Sequence, residues 1–264
     1  MMLKLKTMLK KAGLFYWLKF SMLNTLFEYL FKPGKAKAVK KELDFYSTFL
    51  ADCSLVFDIG ANDGHKTIVF KKISKKVIAC EPDPLNLEIL AAKFKNNSSI
   101  IIEPFALTDK TGTANFYIQE QGSPLNTINP DFKELLVADN KQRWNTEIEF
   151  SNTVLTVNTI TLDVLIAKYG VPDFIKIDVE GNEKNVIKGL FSPVPCISFE
   201  VLLPEFLDDA LESIDKILSL SPNMHFNYAV EEKLMLPLFI DPTSFKEMLK
   251  QLTIAHLEII AKAG

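Results

Sequence analysis

Four apolar segments of this chain end in acidic residues: Asp58, Glu81, the pair Asp178 and Glu180, and Glu200. They close the runs LVFDIG (55–60), KVIACEPD (76–83), DFIKIDVEG (173–181) and CISFEVL (196–202), which read as buried strands. Packing gives no reason to end each strand on a carboxylate. In an open α/β sheet, ligands bind outside the carboxyl ends of the strands, so the four sets are expected to share one site.

The turn after the first run, DIGANDG (58–64), bends at Gly60, where a missing side chain lets a ligand approach the backbone. It lacks the G-x-G-x-x-G spacing that cradles a pyrophosphate. Asp58 would repel a phosphate chain but suits an ammonium group. Glu81 follows the turn by roughly twenty residues, where an acidic side chain accepts hydrogen bonds from ribose hydroxyls. A ligand with a ribose and a cationic group but no phosphate chain is therefore expected, and S-adenosylmethionine meets that description. A nicotinamide-dependent oxidoreductase is the competing reading, and the missing glycines argue against it. A non-catalytic cofactor-binding module is a third, disfavoured by the joint presence of Asp58, Gly60, Glu81 and Asp178.

Roles follow from these positions. Asp58 is expected to contact the methionine amino group, directly or through water. Gly60, Ala61 and Asn62 are expected to offer backbone N–H groups to the carboxylate, because a helix N-terminus attracts anions. Glu81 would hold the ribose and Asp83 would assist near the adenine, with helix capping as its alternative. Methyl transfer is an in-line displacement in which the protein chiefly positions the nucleophile and removes its proton. Asp178 is the candidate base and Glu180 would orient the acceptor. Lys176 shares a strand face with both, and would pair with a carboxylate or contact an anionic substrate. Glu200, with Ser123 and Asn126 of a turn-rich loop, completes the candidate substrate contacts. A divalent cation on Asp178, Glu180 and Glu200 is the alternative; it is not favoured, because no further set of oxygen ligands is visible, and no metal ligand is assigned. His65, His225 and His256 are not expected to catalyse.

The positioning elements alternate regularly. Helices are expected over 36–50, 65–73, 85–97, 161–170, 182–190, 206–220 and 243–263, with strands at 55–60, 76–83, 99–107, 173–181 and 196–202, and an antiparallel pair within 225–240. Thr161 and Gly170 supply start and stop signals for their helix. Alternating strands and helices define an α/β fold with a mostly parallel sheet covered on both faces. Residues 113–160 interrupt the alternation and read as an insertion at the sheet's rim, where substrate contacts collect. The expected organisation is an N-terminal helical extension (1–50) and one catalytic domain (51–264).

The 264 residues carry a net charge of −3, so no nucleic-acid partner is expected. Cys53, Cys80 and Cys196 match neither a zinc nor a redox spacing, and read as buried free thiols of a reducing compartment, the cytoplasm. Residues 1–32 mix lysines with large apolar groups, without a cleavage site or an uninterrupted spanning run. A helix packed on the domain is expected; the alternative is peripheral contact with the inner face of a membrane. Oligomeric state is not legible.

VFDIGANDGHKT (56–67), ACEPDPLNLEIL (79–90), EPFALTDKTGTANFYI (103–118), TVNTITLDVLIAKYG (156–170), DFIKIDVEGNEKNVIKGL (173–190) and CISFEV (196–201) together resemble the FkbM family of S-adenosylmethionine-dependent methyltransferases. The resemblance spans about residues 53–202. It implies a class I (Rossmann-like) methyltransferase fold, with a seven-stranded sheet whose last strand is antiparallel. It also implies O-methylation of a small-molecule or glycan hydroxyl: a sugar, a glycolipid or a secondary metabolite. Two departures stand out. Asn182 replaces a frequent histidine, and Pro104-Phe105 replaces the usual asparagine before Ala106-Leu107, which bears on the adenine-side contacts assigned to Ala106.

Overall fold

A computed structural model describes residues 33–138 and 147–264. The expected N-terminal segment 1–32, docked or on a membrane, lies outside them. The chain runs α1 (Pro33–Tyr46), β1 (Cys53–Ile59), α2 (His65–Ile73), β2 (Ser74–Cys80), α3 (Pro84–Phe94), β3 (Ile100–Glu103), β4 (Ala106–Leu107) and β5 (Gly112–Tyr117). It continues through α4 (Pro130–Ala138), β6 (Val154–Ile160), α5 (Leu162–Tyr169), β7 (Phe174–Ile177), α6 (Glu183–Lys188), β8 (Cys196–Leu202), α7 (Leu207–Leu220), β9 (Met224–Ala229), α8 (Pro242–Leu249) and β10 (His256–Ala263).

Seven strands form one sheet in the order β3-β2-β1-β7-β8-β10-β9. β10 is antiparallel to both neighbours, while the pairings of β1, β2, β3, β7 and β8 are parallel. This is the expected α/β architecture. The helix signals hold: Thr161 accepts a hydrogen bond from Val164 N, and Gly170 closes α5. Asp83 caps α3 through the N–H groups of Leu85 and Asn86, with Pro84 in the first helical turn, where its missing N–H costs nothing.

Three expectations are corrected. The 99–107 strand breaks at Pro104-Phe105, and β4 leaves the main sheet to join β6 and β5 in a small three-stranded sheet. The 225–240 segment supplies one strand, β9; its remainder makes only single bridges, Phe226 to Ile240 and Ala229 to Leu234. The expected C-terminal helix over 243–263 is instead the short α8 followed by β10. Leu257, Ile259, Ile260 and Ala261 are all buried, so β10 is apolar on both faces, a pattern that periodicity cannot separate from a buried helix.

The sheet's two faces carry separate cores. One packs against α5, α6, α7 and α8 through Leu165, Ile187, Ile214 and Phe245. The other packs against α1, α2 and α3 through Tyr46, Phe70, Leu90 and Phe174. Toward the carboxyl ends this second face turns polar. Strand alternation from Val56, Phe174 and Cys196 places Asp58, Lys176 and Ser198 in one row, and register aligns them across β1, β7 and β8. Glu200 and Glu258 face each other one step further, across β8 and β10. Among the described residues no helix is long and apolar enough to cross a membrane.

Candidate active site

The turn after β1 passes against the end of β7. Gly60 has φ +86°, and a Cβ there would lie 1.7 Å from the Asp178 carbonyl oxygen. The glycine is thus required by close approach as well as by conformation. Gly60 N and Ala61 N both donate to Cys80 O, at 3.0 and 2.9 Å. Asn62 N donates to Glu81 Oε2 at 2.7 Å. These three N–H groups therefore join the turn to the end of β2, and the expectation that they offer a free cradle to a carboxylate is corrected.

Glu81 Oε1 accepts from Asp83 N at 2.8 Å, so each carboxylate oxygen has one N–H partner and a lone pair to spare. Burial raises its pKa to about 7 against the pull of these N–H groups. Glu81 stands at the edge of a cavity of about 650 Å³ lined by Gly60, Asn62, Phe105, Ala106, Leu107 and Ile128, among others. Phe105, Ile128 and Leu107 give this cavity apolar walls beside the Glu81 carboxylate, and Asp178 and Glu180 line it as well. Ala106 is on this wall.

Several expected contacts lie elsewhere. Asp58 is buried and absent from the cavity lining; its Oδ2 accepts from Thr67 Oγ1 of α2 at 2.5 Å. Burial pushes its pKa to about 6 in spite of that hydrogen bond. Ala61 is buried behind the turn. Asp83 is buried too, and beyond capping α3 its Oδ2 accepts from Asn126 Nδ2 at 2.8 Å and Gly122 N at 3.2 Å. Ser123 and Asn126, expected as substrate contacts, line this same cavity beside Glu81. The same loop is tied to the far wall, where Thr127 Oγ1 donates to Glu180 O at 2.7 Å.

A second cavity of about 730 Å³ adjoins the first and is lined by Leu125, Phe132, Leu202 and Phe206 with Asp178, Glu180, Glu183, Glu200 and His256. Pro124, Asp178 and Glu180 line both. Burial raises the Asp178 pKa to about 7, helped by Glu200 and opposed by Lys176, and Glu180 rises for the same first reason with Asp178 beside it. Glu183 also rises to about 7 on burial, and its Oε1 accepts from Val179 N and Gly181 N, which fixes the turn carrying Glu180.

Lys176 is wholly buried beneath this cavity. Its Nζ lies 3.0 Å from Glu200 Oε1, 3.7 Å from Asp178 Oδ2 and 3.9 Å from Glu258 Oε1. Desolvation works against its charge, but the three carboxylates outweigh it and raise its pKa. Of the two roles considered for Lys176, pairing with carboxylates holds and substrate contact does not. Glu200 pairs on its other side with His256 Nε2 at 2.9 Å; despite burial, Lys176 and His256 hold it well below the usual carboxylate range. Among the described residues no group of three His, Cys, Asp or Glu side chains is placed to hold a metal ion.

Glu183 and His256 were not expected here: Glu183 had no type-and-spacing signal, and His256 was hidden by reading its strand as a helix. Phe105, flagged as a departure on the adenine side, lines the first cavity. The replaced histidine has a structural successor: buried Asn182 donates to Leu107 O at 3.0 Å and joins α6 to β4.

The sequence profile of the methyltransferase FkbM domain matches residues 58–233. The chain therefore belongs to the FkbM methyltransferase family, and its seven-stranded sheet has the strand order of a class I methyltransferase fold. Among solved structures it is similar to the methyltransferase FkbM of Methylobacillus flagellatus, at 16% identity and a TM-score of 0.47, covering 81% of this chain and 44% of that one. The chain thus spans less than half of that protein's length. It is also similar to a precorrin-6y C5,15-methyltransferase of Geobacter metallireducens (13% identity, TM-score 0.41, 86% of each chain). The plantazolicin methyltransferase BpumL is a third (10% identity, TM-score 0.39, 97% and 99% covered). No curated protein sequence matches the chain.

Proposed function

We propose that this enzyme is an O-methyltransferase that methylates a hydroxyl of a sugar, glycolipid or secondary metabolite. The carrying observation is that Asp178 and Glu180 stand on the boundary between the two cavities, within reach of both. When bound, the cofactor supplies an electrophilic methyl on a good leaving group. Glu81 binds the ribose side, and Ala106 and Phe105 border the adenine. Asp58 acts behind the turn, through Thr67 and α2, rather than on the ligand itself.

On the acceptor side, Leu125, Phe132 and Phe206 give an apolar wall against the carboxylates. An acceptor hydroxyl is too weak an acid to ionise first near neutral pH, so its proton leaves as the new bond forms. Asp178, with a pKa near 7, is matched to that task, and Glu180 orients the hydroxyl. A cavity rimmed by carboxylates disfavours anionic acceptors.

Two measurements test the reading. Calorimetry should show S-adenosylhomocysteine binding in preference to NAD; tight binding of NAD alone would end it. Methyl-labelled S-adenosylmethionine, incubated with an extract from cells lacking this gene, should give an alkali-stable methyl ether. Label found only on nitrogen or carbon would refute O-transfer.

A further inference from the structure

The acceptor reading leaves a proton on Asp178 after each transfer, and that proton must leave before the next. Asp178 sits at the inner boundary, its side chain 27% exposed. His256 lines the same acceptor cavity but is 52% exposed, so it stands between the cavity and solvent. Its Nε2 is held by Glu200, whose charge is fixed by Lys176 from below. Its other ring nitrogen makes no hydrogen bond among the described residues. His256 lies on β10, outside the segment that the family profile matches. The two remaining histidines are elsewhere: His65 pairs with Glu42, and His225 sits beside Asn223.

We propose that His256, anchored by Glu200, is the relay that carries the acceptor's proton from Asp178 to solvent. This rests on the O-methyltransferase reading. In the step itself the methyl–sulfur bond breaks, the methyl–oxygen bond forms, and the hydroxyl proton passes to the Asp178 carboxylate. Once product leaves, solvent entering the cavity bridges that proton to the neutral imidazole. The imidazolium then releases it to bulk water, with no change of oxidation state. Lys176 from β7, Asp178 just after it, Glu200 from β8, Glu258 from β10, and Glu180 and Glu183 from the turn before α6 and its first residue surround the route. The hydrogen bond and charge of Glu200, with the charge of Asp178, favour the imidazolium against burial and Lys176.

The test uses the full chain, labelled S-adenosylmethionine and the extract described above. His256→Gln should leave the first, single-turnover transfer near the wild-type rate. Steady-state turnover should fall roughly tenfold or more. Added imidazole should restore steady-state turnover, and S-adenosylhomocysteine affinity should stay unchanged. His225→Gln should behave as wild type. Wild-type steady-state rates in His256→Gln, a loss that imidazole does not restore, or an equal loss in single turnover would each overturn the relay. Absence of transfer by the wild type would instead remove the acceptor reading, and the relay with it.

Discussion

The carbonyl oxygen of Asp178 occupies the space that a side chain on Gly60 would need, 1.7 Å from the ideal Cβ. The turn after β1 and the residue that follows β7 thus meet with no room for a side chain between them. Gly60→Ala is expected to cost stability twice, through the clash and through its positive φ, the latter alone about 1–3 kcal/mol. Urea denaturation measures the sum; a midpoint like the wild type's would mean that the two segments do not touch.

Glu81→Gln should weaken S-adenosylhomocysteine binding about ten- to hundredfold, the range for losing hydrogen bonds to a charged group. The amide can accept at only one oxygen, so either the ribose or an N–H from Asn62 or Asp83 is left without its partner. Calorimetry at fixed pH gives the ratio, and unchanged affinity would move the ribose away from Glu81.

Asp178→Asn should lower single-turnover transfer about 10²- to 10⁴-fold. In the wild type the rate should rise with pH and level off above about 7, because the base works only when ionised. A rate flat from pH 5 to 9 would exclude Asp178 as the proton acceptor.

The same groups bear on stability. Asp58, Glu81, Asp178 and Glu183 have pKa values raised by burial to between about 6 and 7. Their folded forms hold protons that the unfolded chain has already lost. Their contribution is full below the ordinary carboxylate range and disappears as pH rises through about 7. Glu200, shifted downward, works in the opposite sense, but lower in the pH range. The ligand-free protein should therefore melt at lower temperature at pH 8 than at pH 5, with a shallower slope in Asp178→Asn. A melting temperature rising over that interval would contradict the assignment.

Lys176→Met should act on folding before it acts on acceptor affinity. It leaves Glu200, Asp178 and Glu258 without their shared cation, a change that costs about 3–5 kcal/mol when one partner of a buried pair is removed. A fully stable variant with a raised KM for the acceptor would restore the discarded role in substrate binding.

Much of this was legible in the sequence because strand-end carboxylates and a glycine turn are local signals. Glu81 and Ala106 line the first cavity, Glu200 the second, and Asp178 and Glu180 both. The failures share a physical origin. Whether Asp58 points to a ligand or to Thr67 depends on a helix packed on its face. The N–H groups of Gly60 and Ala61 look free until β2 brings Cys80 O to them. Asn126 looked like an acceptor contact, but its amide is committed to Asp83, forty-three residues away. His256 needed the register of β10 against β8, and a strand buried on both sides carries no periodicity to announce itself.

The place of β10 also constrains how the chain comes to be folded. It pairs with β8 on one side and β9 on the other, yet both are synthesised before it. Until residues 256–263 arrive, those two strands present bare hydrogen-bonding edges across a gap one strand wide. Such edges invite pairing with other chains. The nascent chain therefore exposes that gap from the emergence of β9 until β10 follows it, and chaperone demand is expected over that interval.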